Sequence, residues 1–260
     1  MTSRGYSSHQ SVLYGVHPVL ETLKAGRRRI DEILLARDPA SYGELVGLLQ
    51  NVACPVTRVS DKDVLAIAGS AQHQGVAARV GPFPYTDFAD VAPESVRLPR
   101  VLILLDEIQD PVNLGSILRS AECLGASAVI LTRDNAAQVT PAVERASAGA
   151  SAHIAVSRVV NLVRAIEQLK DAGFWVYAAD SGSQDTVYSL DLSGSVAFVL
   201  GSEGRGVRRL VREKCDRRVS IPIFGKVGSL NVSHAAAILL AEFSRQRTDC
   251  LHNVPDRSND

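Results

Sequence analysis

The sequence predicts an α/β protein of two modest domains, and three observations carry that prediction. At 260 residues the chain exceeds the usual size of one domain, and with 46% hydrophobic and 22% charged residues it can bury a substantial core. From Val101 onward, short β-branched and leucine-rich runs alternate with longer runs of helical period, the pattern of a largely parallel sheet covered on both faces. Between the halves, residues 81–99 (GPFPYTDFADVAPESVRLP) hold four prolines and no sustained period of either kind, so they are expected to bridge two domains, 1–80 and 100–247.

Within 1–80, VHPVLETLKAG places Val16, Val19, Leu20 and Leu23 on one helical face, and Gly26 ends the helix. IDEILLA reads as a strand, SYGELVGLLQN as a helix, PVTRVS as a strand, DKDVLAIAG as a helix capped by an aspartate, and GVAARV as a strand. About the first 11 residues, and the polar tail 248–260, are expected to be unordered.

In 100–247, VLILLD is apolar enough for a strand buried on both faces. It is followed by helix NLGSILRSAECLG, strand SAVILT, a helix near TPAVERASAG, strand HIAVS, helix NLVRAIEQLKDAG and strand FWVYAAD. Strand VAFVLG, helix GVRRLVREKC, strand RVSIPI and helix NVSHAAAILLAEFSRQR complete the series.

Ligands of parallel α/β sheets bind outside the carboxyl ends of strands, so the residues directly after each strand are the ones to inspect. After VLILLD, Asn113 can cap a helix whose bare Gly115 suits an anion, with Arg119 and Glu122 three apart; taken alone, an ordinary cap and surface Arg–Glu pair is the favoured reading of this loop. After VAFVLG, Gly201, Gly204 and Gly206 surround Glu203, either a ligand loop or a simple strand-to-helix turn. After RVSIPI, a glycine-rich stretch leads through Ser229, Leu230 and Asn231 into a helix opening with three alanines, which permits close packing. No G-x-G-x-x-G follows a strand, and no G-x-x-x-x-G-K-[ST] occurs, which disfavours a dinucleotide fold or P-loop.

Lys plus Arg equal Asp plus Glu, 28 against 28, so net charge does not point to a polyanion. Locally, Arg205, Arg208, Arg209, Arg212, Lys214, Arg217 and Arg218 face only Glu213 and Asp216, and Arg27, Arg28 and Arg29 form a second basic cluster. Either could serve an RNA backbone or a solvated face. Cys54, Cys123, Cys215 and Cys250 are scattered, and Cys250-x-His252 is read as incidental, so no metal is expected. The polar start MTSRGYSSHQ and the lack of a long apolar run predict a cytoplasmic protein outside the membrane.

Together the three loops resemble the SpoU branch of the SPOUT superfamily, the TrmH-like RNA 2′-O-ribose methyltransferases. The matching motifs are Asn113-Leu114-Gly115-x-x-x-Arg119, then Val199-Leu200-Gly201-Ser202-Glu203-Gly204, then Ile221-Pro222 with Ser229-Leu230-Asn231-Val232-Ser233. Tyr14-Gly15-x-His17-Pro18-Val19 and His73-Gln74-Gly75-Val76 resemble landmarks of the ribosomal-protein L30e-like RNA-binding domain that precedes many such catalytic domains. The resemblance implies a carboxyl-terminal trefoil knot, a homodimer, and S-adenosylmethionine held against Gly201, Ile221 and Leu230, with Thr132 counted among the cofactor contacts. It further implies that Arg119 meets the target ribose or its phosphate while Asn113, Glu203, Ser229 and Asn231 order the loops, and that Arg27, Arg28, Arg29 and Arg205 contact RNA. Whether Arg119 serves a site shared between subunits stays open. His234 departs from the small apolar residue common in relatives and is expected to be a packed core histidine rather than a base. The arrangement is most similar to bacterial enzymes acting on a guanosine of 23S ribosomal RNA. Transfer-RNA methylation and non-catalytic RNA binding are the alternatives.

Overall fold

VHPVLETLKA forms α1 (Val16–Ala25), and Gly26 closes it in the left-handed conformation at φ 61°. The computed structural model in which this is seen describes residues 11–91 and 99–252, with side chains through 248. The expectation for the first ten residues, the Cys250 and His252 side chains and the end of the tail therefore lie outside the described residues. The chain divides into two compact units, Met1–Pro84 with Val139–His153, and Tyr85–Gln138 with Ile154–Asp260.

The first unit holds a four-stranded sheet of order β1-β4-β2-β3, built from β1 (Ser11–Tyr14), β2 (Ile30–Leu35), β3 (Val56–Arg58) and β4 (Val76–Val80). The periodicity of the sequence does not announce β1, because a four-residue strand is too short to display a period; its identity comes from antiparallel pairing with β4. α1, α2 (Glu44–Leu49) and Tyr42 bury Leu13, Val19, Ile33, Leu45 and Val80 in one cluster. α3 (Asp61–Ala68) is capped by Ser60, not by an aspartate: Ser60 Oγ accepts from the Asp63 amide while the Asp63 carboxylate accepts from the Ser60 amide, a reciprocal capping box.

The landmark residues of this unit meet at one corner. The Gly15 amide donates to the Val76 carbonyl, and the Val16 amide donates to Gln74 Oε1 at 3.1 Å. Residues 139–153, which sequence reading assigns to the larger domain, pack with this unit: α6 (Pro141–Ala146) carries Glu144 to Arg28 at 2.6 Å.

In the second unit six strands run parallel in the order β10-β8-β9-β5-β6-β7. They are β5 (Val101–Asp106), β6 (Ala128–Thr132), β7 (Ala155–Val159), β8 (Trp175–Ala179), β9 (Val196–Gly201) and β10 (Arg217–Val219). All six residues of β5 are buried, as a central strand covered on both faces requires. One face carries α4 (Phe88–Val91), α7 (Leu162–Asp171) and α8 (Arg209–Lys214), whose Val91, Ile166, Leu169 and Val211 pack on Leu102, Ile130 and Val199. α5 (Pro111–Cys123) packs against α9 (Val232–His252), and α9 also meets β5 and β9.

Two spans differ from expectation. The segment read as a bridge contains α4, and its Thr86 amide donates to the Val156 carbonyl, so part of it belongs to the second unit. β10 stops at Val219 instead of continuing through Ile223; Pro222 has no amide to give a ladder, and the chain leaves the sheet for the third loop. Among the described residues no helix is long and apolar enough to cross a membrane.

Candidate functional site

Three strand-end loops converge on Glu203. The first begins at the end of β5, where Asp110 caps α5 by accepting from the Val112 amide at 3.0 Å, with Pro111 at the first helical position. The cap is thus Asp110 and not Asn113. Relieved of capping, the buried Asn113 turns its amide across the sheet and donates from Nδ2 to Glu203 Oε1 at 2.9 Å.

The second loop folds back on itself. A Cβ on Gly201 would fall on the carbonyl carbon and oxygen of Gly206, so only glycine fits there. Its role is therefore to admit the returning Ser202–Gly206 turn, closed by the Gly206 amide on the Ser202 carbonyl at 2.9 Å, as well as to line the cavity beyond. Arg208 then anchors the turn to the end of β5: its backbone amide donates to Asp106 Oδ2 and its Nε to Asp106 Oδ1, both at 2.8 Å.

The third loop ends at Asn231, which caps α9. Its Oδ1 accepts from the Ser233 amide at 2.8 Å and from Ser233 Oγ at 2.6 Å. That orientation leaves Nδ2 to donate to Asn113 Oδ1 and to Glu203 Oε1, each at 2.9 Å. Asn113, Glu203 and Asn231 therefore form a closed triangle in which every member is held by the other two.

Beside the triangle lies a cavity of about 590 Å³, within the range of small-molecule sites. Glu203, Ser229, Leu230 and Asn231 line it, with Gly201, Ile221 and Arg205. Leu200, Ile221, Leu230 and Leu239 offer apolar wall, while Asp180, Ser181 and Glu203 offer polar groups. Asp180 and Ser181 were missed by the sequence reading although they follow β8 directly; the rule of inspecting each strand end would have found them. Asp106 and Arg208 were also missed, since neither belongs to a glycine-rich run.

Residues 100–241, more than half of the chain, match the SpoU rRNA Methylase family. The chain belongs to that family. The SpoU methylase also matches, over residues 12–86, the family described as RNA 2′-O ribose methyltransferase substrate binding. A Synechocystis protein named as a tRNA/rRNA methyltransferase is 39% identical over 241 residues, covering 91% of this chain and 62% of that one. YacO of Bacillus subtilis, named as a TrmH family tRNA/rRNA methyltransferase, is 36% identical over 93% of this chain and 98% of its own. Among solved structures, the SpoU methyltransferase AviRb from Streptomyces viridochromogenes in complex with AdoMet superposes with a TM-score of 0.78, 27% identity, and coverage of 93% of this chain and 91% of that chain.

Other expected site residues of this SpoU methylase are placed elsewhere. Arg119 is exposed on α5, lies outside the triangle and the cavity lining, and has no hydrogen bond or ion pair among the described residues; the surface pair with Glu122 does not form. Thr132 is buried at 4% exposure, its Oγ1 has no hydrogen-bond partner among the described residues, and it is not among the residues that line the cavity. His234, in the first turn of α9, is exposed and not a core histidine.

The basic clusters are also divided. Arg28 and Glu144 are 5% and 4% exposed, so the Arg28 guanidinium is committed to a buried ion pair and is not presented to RNA. Arg27 Nη1 donates to the His153 carbonyl at 3.1 Å, and Arg29 pairs with Asp31 while remaining 74% exposed. In the second cluster, Arg208 is held by Asp106 and Glu107, Arg209 by Glu213, Arg212 and Arg218 by Asp180, and Lys214 by Glu167, while Arg217 stacks on Trp175. Arg205 has no such partner among the described residues. Burial pushes the Cys215 thiol up to about 12, and no group of three or more His, Cys, Asp or Glu is placed to hold a metal among the described residues.

Proposed function

We propose that this chain transfers a methyl group from S-adenosylmethionine to a ribose 2′-hydroxyl of structured RNA, with a guanosine of 23S ribosomal RNA as the target. The observation that carries the reading is the Asn113–Glu203–Asn231 triangle beside a cavity large enough for a nucleoside-sized cofactor. The donor set fits: Leu200, Ile221, Leu230 and Leu239 suit an apolar ring system, backbone at Gly201, Ile221 and Leu230 suits hydrogen bonding to it, and the carboxylates of Asp180 and Glu203 suit the ammonium of the zwitterionic amino acid end. When bound, S-adenosylmethionine supplies an already activated methyl group on a sulfonium.

The residues of the chain are then left with alignment and one proton. Holding two reactants in line is worth on the order of 7–11 kcal/mol of barrier, more than positioned proton transfer at roughly 10²–10⁴-fold, so rigid loops matter most. The triangle supplies that rigidity. Arg119 contacts the target ribose or its phosphate and stabilises charge developing on the attacking oxygen; as a guanidinium with a pKa above about 12 it makes a better electrostatic stabiliser than a base. Its separation from the cavity within one chain supports a dimer in which Arg119 reaches the cavity of the other subunit. The knotted threading of α9 belongs to the same proposal and is supported by Ala235, Ala236 and Ala237 at its start, where larger side chains would obstruct passage.

Mapping 2′-O-methyl positions in total RNA from cells with and without this protein tests the proposal. A single guanosine of 23S ribosomal RNA losing its methyl group supports it. Loss from a transfer RNA moves the target, and an unchanged methylation map removes the catalytic reading.

A further inference from the structure

Phe224 is 98% exposed, an unusual state for a phenyl ring in a chain that buries most of its large apolar side chains. It directly follows Ile223, which lines the cavity, and its loop also exposes Val227 at 74% and Leu230 at 41%. From Ile221 to Asn231 the loop contains no acidic residue and one cation, Lys226.

We propose that Phe224 stacks a nucleobase of the RNA substrate, with Lys226 and Arg205 supplying the neighbouring positive charge for its phosphates. The proposal rests on the RNA-methylation reading and adds to it a residue that engages the substrate base. Sequence-specific RNA recognition works mostly on unstacked bases laid on aromatic side chains beside cations, and this loop presents that combination at the edge of the cavity.

Charge decides between RNA and a second copy of this chain as the occupant. Arg208, Arg209, Arg212, Lys214 and Arg218 are all ion-paired within the fold, whereas Arg205 and Lys226 have no partner among the described residues. A two-fold contact between copies centred on Phe224 would bring each Lys226 towards its own equivalent with no carboxylate in the loop to separate them. A polyanion with exposed base faces satisfies the ring and both cations together.

The test uses the full-length protein and three variants, Phe224→Ala, Phe224→Trp and Phe224→Leu. Total RNA from cells lacking the protein is the substrate, and filter binding of that RNA without S-adenosylmethionine is measured alongside methyl transfer. Phe224→Ala is expected to weaken RNA binding and raise the RNA KM by about 5- to 100-fold. Cofactor affinity by calorimetry and mass by sedimentation should stay at wild-type values. Phe224→Trp should bind like wild type, and Phe224→Leu should remain as weak as Phe224→Ala. Rescue by leucine equal to that by tryptophan, an unchanged binding curve for Phe224→Ala, or a lower sedimenting mass would each overturn the stacking role. A wild-type protein that transfers no methyl group, while Phe224→Ala still loses RNA binding, supports the stacking and overturns the methylation reading alone.

Discussion

Arg208 holds Asp106, 102 residues earlier in the chain, through its backbone amide at 2.8 Å and through its guanidinium from Nε at 2.8 Å and Nη2 at 2.7 Å. The Asp106 side chain is 0% exposed, so its charge depends on this one residue. Arg208→Ala keeps the backbone bond but removes the countercharge. The expected loss is about 3 kcal/mol of unfolding free energy, read from the denaturant midpoint, with a fall in methyl transfer because the Glu203 turn loses its anchor. An unshifted midpoint would show that the clamp is not holding the turn.

Glu203 Oε1 accepts from both Asn113 and Asn231, so Glu203→Ala strips the buried Asn113 amide and the more exposed Asn231 amide of their common acceptor. The triangle positions rather than reacts, and a misplacement of the order of 1 Å can cost about 10²-fold. The expected result is a kcat about 100-fold lower, with smaller changes in RNA KM and cofactor affinity, and partial recovery in Glu203→Gln, whose carboxamide oxygen can still accept. Steady-state kinetics on the two variants decide this.

Arg119 stands apart from the triangle in its own chain. Arg119→Ala should abolish methylation and leave S-adenosylmethionine binding intact by calorimetry. Mixing Arg119→Ala protein with Glu203→Ala protein should restore activity, since a mixed dimer assembles one site with both residues. No recovery after subunit exchange would place Arg119 in service of its own chain.

Burial raises the carboxyl of Glu144 above its ordinary 4.5, although Arg28 opposes the shift through charge and a hydrogen bond. A carboxyl raised in the folded state favours folding while protonated, below its ordinary value, and loses that contribution as pH rises through its folded value. In Arg28→Ala the buried carboxylate has no countercharge, so the cost of ionising it falls wholly on stability. The variant should be close to wild type near about pH 4 and about 3–5 kcal/mol less stable at neutral pH, measured by denaturant titration at both. A pH-independent difference would contradict this.

Much of the site was legible because its signals are local. Asn113, Glu203 and Asn231 each lie in the loop or first turn that follows a strand, and strand ends are where a parallel sheet gathers its ligand groups. The Gly26 stop of α1 and the fully buried β5 were readable for the same reason, since periodicity and caps are written within one or two turns. The aspartate expected to cap α3 and the Asn113 expected to cap α5 failed narrowly: several capping residues stood within three positions, and backbone geometry selected Ser60 and Asp110.

By itself the sequence determined the order of strands and helices, β1 and α4 apart, and the three loops that carry Asn113, Glu203 and Asn231. Only the tertiary structure decided which charges are spent. The arginines at 28 and 208 read as surface cations until the fold brings Glu144 and Asp106 to them, whereas Arg205, from the same basic run as Arg208, has no partner among the described residues. Ion pairing acts over a few ångströms between positions a hundred residues apart, and no local pattern records which distant carboxylate the strand order will deliver.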